Sequence, residues 1–424
     1  MEIITTGEEV LAGEILDGNA AWLSQQLHDH GLPLHRRTTV GDRMDDLVAA
    51  LREAACRNRL VLVNGGLGPT EDDLTAEAAA RAAGVDRRLQ QDWLHALEQR
   101  LQRQSGGLSR AHRRQALLPA GAETIPNPTG SACGFWLKIR QAWFCFTPGP
   151  PRELQPMFSR HILPRLLERF GDEQRNLLSR VHLFGLGESM VARRLETLRC
   201  PAGTRLGYRP HLPAVEIKVI SRGRGEELAE QHARVRQAVR QALGDFIYAE
   251  DDQNLPETLH RLMLEKGHSL ALAESCTAGL VAARLAEQAG CSAWLRQGWV
   301  VYSAEAKQSQ LGVSAALIRR EGVISQPVAE TMAQGARARA GTSLALAITG
   351  QAGPVDGDEP VPAGTACVAL AHAGGVVSAG WQHRDFGRND NREVQAWLLL
   401  DLLRRYLLGL PTVPEYGLAR PWKR

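Results

Sequence analysis

Short apolar runs of strand length alternate with amphipathic stretches of helix length through about residue 170, and this alternation constrains the fold more than any other feature. LVLVNGG and AWFCFTPG lead into or follow NAAWLSQQLHDHG and MDDLVAALREAAC, whose apolar positions recur at helical spacing. Strand and helix in turn predict an α/β domain with a largely parallel sheet over residues 1–170. The chain has 424 residues, more than one core usually serves, so further domains are expected.

From 175 to 250 the pattern changes to RVHLFGL, SMVARRLETL, AVEIKVIS, EELAEQHARVRQAVRQALG and DFIYAE, a small α+β module. DDQNLPET places a proline where a new helix can begin and marks a boundary near 252. A second α/β unit spans 255–412, with SLALAES, WLRQGWVVYS, SLALAITG and GTACVALA as strands. TAGLVAARLAEQAG, QPVAETMAQGARARA and NREVQAWLLLDLLRRYLLG are its helices, and the last dozen residues read as a tail. No short-period repeat or low-complexity tract occurs, and the two α/β units do not resemble one another.

The charge balance, 50 Lys+Arg against 47 Asp+Glu, is spread without a basic block, which argues against nucleic acid as a partner and leaves anionic small molecules. Seven cysteines (56, 133, 145, 200, 276, 291, 367) include no C-x-x-C pair and fit reduced thiols in the cytoplasm. MEIITTGEEV lacks an export signal's charged and apolar regions. Asp401, Arg404 and Arg405 interrupt the most apolar late run, so no membrane span is expected.

Two constellations carry chemistry. In the last unit, strand SLALAES delivers Ser275 beside a helix start, where a nucleophile and an oxyanion site can coexist. Strand WVVYS ends in Tyr302 and Lys307 lies one helical turn beyond, so both can converge on the same sheet edge. A lysine serves as base to a serine only when neutral, which needs desolvation or a nearby positive charge. Tyr302 could then relay or orient the proton. The structural alternatives stay open at this level: Ser275 or Thr277 as a plain N-cap, Lys307 as a solvated helix residue, Tyr302 as a core-edge aromatic. ITGQAGP adds Thr349 and Gly350 at a strand end where backbone N–H groups can approach a phosphate or carbonyl.

In the first unit, LVLVNGGLGPTEDDLT opens a buried strand into Gly65, Gly66 and Gly68, then Thr70, Asp72 and Asp73. Glycines let the backbone approach a diphosphate, and adjacent carboxylates, joined by Asp42, can hold a divalent cation. The alternative is an ordinary strand-to-helix turn with an acid capping the helix. No Walker or dinucleotide fingerprint is present.

ESCTAG, VVYSAEAK, LGV, EGVISQPVAETMAQGARA, ITGQAGP and PAGTACVAL, in that order, resemble the C-terminal domain of the CinA family. The resemblance implies a nicotinamide mononucleotide deamidase in which Ser275 attacks the carboxamide carbon, Lys307 with Tyr302 manages the proton, and no metal is required. Thr277, Gly279, Thr349, Gly350, Gly353 and Arg388 fall at substrate-contacting positions of the pattern. Ala278 stands where the family usually has a second glycine, Gln351 departs from the pattern before AGP, and DFGRNDNRE is one residue short, which makes Arg392 a rival to Arg388.

GEEVLAGEILDGNAAWL, VGDRMDDL, NGGLGPTEDDLT and FTPGPPRELQPM resemble the three-layer molybdopterin-binding fold as CinA proteins carry it. That implies hydrolysis of ADP-ribose with a divalent ion, magnesium or similar, at Asp42, Asp72 and Asp73, the nucleotide resting on Gly65, Gly66, Gly68 and Thr70. GLGES and YRPHLPAVEIKV resemble a small KH-like module, read as a spacer or substrate-covering lid and not as an RNA binder. A homodimer is implied by the resemblance alone. A molybdopterin-handling N-terminal domain and a non-catalytic partner in DNA uptake or repair are the competing readings.

Overall fold

The computed structural model describes residues 1–102, 109–170, 175–355 and 361–422. They divide into two compact units, 1–177 with 222–224, and 178–221 with 225–424.

The first unit contains β1 (Glu2–Thr6), β2 (Arg36–Val40), β3 (Leu60–Asn64), the ribbon β4 (Arg87–Leu89) and β5 (Leu117–Pro119), β6 (Glu123–Ile125), β7 (Gly134–Ile139) and β8 (Ala142–Thr147). Its main sheet runs β2-β1-β3-β8-β7-β6, parallel through β8 and antiparallel beyond. The first four residues of β3, LVLV, are all apolar because both faces are covered. Val61 and Val63 pack with helices Met44–Arg57 and Thr75–Ala83, whereas Leu60 and Leu62 pack with helices Gly18–Asp29 and Pro151–Met157. The result is a three-layer α/β/α domain. Since β1 lies between β2 and β3, the chain leaves it in opposite directions, and a crevice opens where the strands end.

In the second unit, β9 (Arg175–Phe184), β10 (Thr204–His211), β11 (Ala214–Gly223) and β12 (Ile247–Glu250) form a sheet of order β10-β11-β9-β12. One face buries Val181, Ile217 and Val219 under helices Glu188–Leu195 and Gly225–Leu243. Phe184, Tyr248 and Ala249 instead join the core of the following α/β sheet, with Leu259, Trp381 and Leu398. Three side chains that interrupt the apolar run reinforce this junction. Asp401 accepts from Arg404 Nε (2.6 Å), Arg405 Nε (2.8 Å) and the Tyr416 hydroxyl (2.6 Å), while Arg404 donates to the carbonyls of Asp245 (2.7 Å) and Ile247 (3.0 Å). A spacer or hinged lid needs neither a shared core nor buried guanidinium groups, so the module is built into the unit that contains the catalytic candidates.

The remaining strands are β13 (Leu270–Glu274), β14 (Leu295–Val300), β15 (Leu344–Gln351), β16 (Thr365–His372), β17 (Gly375–His383) and β18 (Ala419–Pro421), in order β14-β13-β15-β16-β17-β18. β13 is parallel to both neighbours and the rest are antiparallel. LALAE alternates by size: Leu270 and Leu272 face the core beneath helices Leu255–Lys266 and Arg388–Leu408, while Ala271 and Ala273 admit helix Gln326–Ala340. β17 was not legible as a strand, and the expected tail is partly structured: Ala419–Pro421 pairs with β17 and Tyr416 is buried against Asp401. The helix expected from 277 spans Leu280–Ala286, because Ala278 (φ 50°) and Gly279 (φ 92°) form a left-handed turn ahead of it. Among the described residues no helix is long and apolar enough to cross a membrane.

Candidate active site

The strand order reverses at β13, so the ends of β13, β14 and β15 enclose a crevice, and the sequence loads it. Ser275 follows β13 directly, with its N–H on the Ile348 carbonyl (3.1 Å). After β14, the Ser303 hydroxyl accepts from the Ala306 N–H (3.1 Å) and starts helix Ala304–Leu311, which carries Lys307 one turn in. This helix packs tightly on Gln326–Ala340 at Gly335, where any Cβ would collide with the Leu311 carbonyl.

Lys307 is fully buried, and its Nζ lies 2.9 Å from Ser275 Oγ, 2.8 Å from the Val301 carbonyl and 3.2 Å from the Tyr302 carbonyl. Burial draws its pKa down from 10.5 to about 8. A neutral amine has two N–H bonds and one lone pair. With the N–H bonds directed to two carbonyls, the lone pair is left for the Ser275 hydroxyl proton.

A cavity of about 220 Å³ opens beside Ser275, with Cys276, Tyr302, Thr349, Gln351 and Arg388 in its wall. Burial pushes the Cys276 thiol up to about 12, which removes it as a rival nucleophile. Arg388 donates to the Tyr302 hydroxyl (2.8 Å) and the Gly353 carbonyl (2.5 Å), whereas Arg392 is spent on the Thr277 carbonyl (2.9 Å). Arg388 is therefore the arginine at the cavity. Tyr302 is 56% exposed and its hydroxyl is engaged by Arg388; only its main-chain carbonyl reaches Lys307. The expected proton relay through that hydroxyl is not formed here.

The other expected substrate contacts divide. Thr349 lines the cavity, with its hydroxyl donated to the Val323 carbonyl (3.0 Å). Gly350 also lines it, but a Cβ there would lie 2.5 Å from the Thr365 carbonyl and 3.0 Å from Cys276 Sγ, so packing accounts for the glycine. Gly353 (φ 77°) contributes its carbonyl to Arg388. Thr277 and Gly279 are not in the cavity wall: Thr277 is wholly buried and Gly279 leads into the helix.

Sequence reasoning missed Glu274. Its buried carboxylate accepts from the N–H groups of Gly279 (3.0 Å), Val281 (3.1 Å) and Ala282 (2.9 Å). The helix-start amides considered for an oxyanion site are therefore taken. An acid preceding a helix start is the available signal, since a carboxylate is favoured there by the dipole.

In the first unit a pocket of about 610 Å³ lies at the carboxyl ends of β1, β3 and β8, lined by Thr6, Asp42, Gly65, Gly66, Gly68 and Thr70, with Asp72 and Asp73 also in its wall. Gly65 (φ 112°) passes where a Cβ would stand 2.5 Å from the Thr6 carbonyl. Asp73 accepts from the N–H groups of Gly68 (2.8 Å) and Thr70 (2.8 Å) and from the Thr70 hydroxyl, closing the loop. Asp42 accepts from the Glu8 N–H (2.9 Å), and its carboxyl is held above its ordinary pKa by burial and then by Glu9, Asp72 and Asp73. Among the described residues no group of three or more His, Cys, Asp or Glu is placed to hold a metal ion. Asp42, Asp72 and Asp73 thus do not form a ready cage, because the Asp73 oxygens already serve the backbone.

Comparison with known proteins matches residues 2–168 to a probable molybdopterin binding domain, 179–249 to the damage-inducible protein CinA KH domain and 252–407 to the CinA C-terminal domain. A CinA-like protein of Shewanella sp. (strain MR-4) is 40% identical over 416 residues, covering 98% of this chain and 97% of its own. The chain belongs to the CinA family. A Shewanella oneidensis member, 40% identical over 98% of each chain, is named nicotinamide-nucleotide amidohydrolase PncC. Among solved structures, a CinA protein of Thermoplasma acidophilum is 33% identical over 37% of this chain and 92% of its own, with a TM-score of 0.35. Within the CinA pattern, the departing residue Ala278 occupies the left-handed turn after Ser275, and Gln351 stands in the cavity wall.

Proposed function

We propose that the site at Ser275 hydrolyses the carboxamide of nicotinamide mononucleotide to nicotinate mononucleotide and ammonia. The 2.9 Å contact between Ser275 Oγ and a buried Lys307 Nζ carries this reading, and the amidohydrolase name of a relative alike over the whole chain supports the substrate. Ser275 Oγ attacks the carboxamide carbon as its proton passes to Lys307 Nζ. The tetrahedral adduct then expels the amine, which takes that proton and leaves as ammonia. Water attacks the resulting ester with Lys307 again as base, releasing the carboxylate and restoring Ser275. Arg388 offers its planar donors to the substrate phosphate, steadied by the Tyr302 hydroxyl and the Gly353 carbonyl. Ammonia release by the full chain, followed against pH, tests the reading: activity should rise through a single ionisation near 8 as Lys307 loses its proton. A profile flat across that value would remove Lys307 as the base.

For the N-terminal unit we infer a pocket for a pyrophosphate-bearing nucleotide, with ADP-ribose hydrolysed in the presence of a divalent ion as the reaction the CinA resemblance implies. The glycine loop on its floor supports this reading. Among the described residues the carboxylates of Asp42, Asp72 and Asp73 are not gathered as a cage. The assay is AMP formation from ADP-ribose with and without magnesium, in wild type and Asp42→Asn; formation indifferent to both would take the carboxylates out of the reaction. Cytoplasmic location and assembly as a homodimer belong to the same reading, and light scattering on the purified chain checks the latter.

A further inference from the structure

We propose that Gln351 is a specificity-determining residue whose amide nitrogen holds an oxygen of the substrate's ribose 5-phosphate portion; this rests on the deamidase reading. β15 alternates, so Gln351 shares a face with Thr349, and both stand in the wall of the Ser275 cavity. The residue is pinned opposite Thr365 in the sheet, and its carbonyl accepts from Gln395 Nε2 (3.0 Å). Its side chain is half-buried, with Oε1 accepting from the Gly353 N–H at 3.2 Å. Only the amide oxygen can accept from that N–H, which fixes the orientation and makes Nε2 the free end. Among the described residues, no protein acceptor is recorded for Nε2.

Gly353 thus holds two side chains, one through each of its backbone polar groups. Its N–H steadies the Gln351 amide, and its carbonyl receives Arg388. A carboxamide and a guanidinium hinged on one glycine form a donor-rich wall, and such a wall suits an oxygen-rich, anionic group. In a nicotinamide nucleotide whose carboxamide carbon lies at Ser275, the pyridinium ring offers no acceptor, so ribose hydroxyls and phosphate remain. Gln351 departs from the CinA pattern, and the resemblance assigns it no role.

The test compares wild type, Gln351→Leu and Gln351→Glu on nicotinamide mononucleotide and nicotinamide riboside. Gln351→Leu should raise KM for the mononucleotide about tenfold with kcat within about twofold, as loss of one hydrogen bond predicts. Gln351→Glu keeps the length and the bond to Gly353 but presents an anion, so its KM should rise further; it also carries the test should the leucine variant fail to fold. A KM increase confined to the mononucleotide assigns the contact to phosphate, and an equal increase for both substrates assigns it to ribose; either supports the inference. Unchanged KM in both variants, or a fall in kcat alone, overturns it while the deamidase reading stands. A wild-type chain that releases no ammonia from the mononucleotide removes both.

Discussion

The two α/β sheets pose the same local problem and answer it differently. Each places a strand between two parallel neighbours, β1 between β2 and β3 and β13 between β14 and β15, and each opens a crevice at the reversal. The first crevice is the larger, about 610 Å³ against about 220 Å³, and is lined by several carboxylates, yet those acids are spread out or committed to backbone N–H groups. The second is small, but it brings a hydroxyl and a buried amine to 2.9 Å. Complementary groups held in contact, with their other valences satisfied, indicate chemistry more directly than pocket size or acidity.

Substitutions can break that contrast, beginning with the largest effect. Ser275→Ala should lower ammonia release from nicotinamide mononucleotide by at least ~10³-fold with no change in the N-terminal unit's binding of ADP-ribose. Persistent deamidation would sink the nucleophile assignment. Lys307→Met should lower kcat by about 10² to 10⁴-fold and erase the ionisation near 8. Lys307 also has a signature in stability. Its folded pKa of about 8 lies below the unfolded value of ~10.4, so the unfolded chain binds more protons between them. Wild-type stability relative to Lys307→Met should therefore rise with pH across that window, as measured by denaturant titration; a fall would mean the buried amine stays charged.

Gly335→Ala tests whether the contact depends on helix packing, since the added methyl meets the Leu311 carbonyl. It should destabilise the second unit by ~1–3 kcal/mol and reduce kcat, because helix Ala304–Leu311 must shift and take Lys307 with it. Thermal melts and initial rates read both. The smallest effect is expected from Asp73→Asn, which weakens the bonds closing the glycine loop by about 1 kcal/mol or slightly more. ADP-ribose binding by calorimetry should weaken a fewfold while deamidation is unaltered, and loss of both activities would show that the two units do not respond independently.

The candidate site was legible to the extent that strand ends could be found. Ser275 closes an apolar run and Lys307 lies one helical turn beyond the next strand, so the pattern allows both to reach one sheet edge without deciding that they do. Side-chain direction was not legible. The Tyr302 hydroxyl turns to Arg388, Arg392 turns to the Thr277 carbonyl, and Glu274 takes the helix-start amides, all through contacts between residues distant in sequence or around a turn. β17 escaped notice for a related reason: GVVSAGWQH mixes small, polar and apolar residues, and its pairing with β16 and β18 makes it a strand.

By itself, the sequence determined the α/β alternation and which residue types stand at the strand ends, because these follow from local periodicity. Only the tertiary structure decided that the KH-like module shares a core with the last sheet, that Asp73 closes a loop, and that Lys307 is stripped of water against Ser275. Burial and hydrogen-bond partnership depend on which distant segments meet, and the pKa of an amine is set by that company.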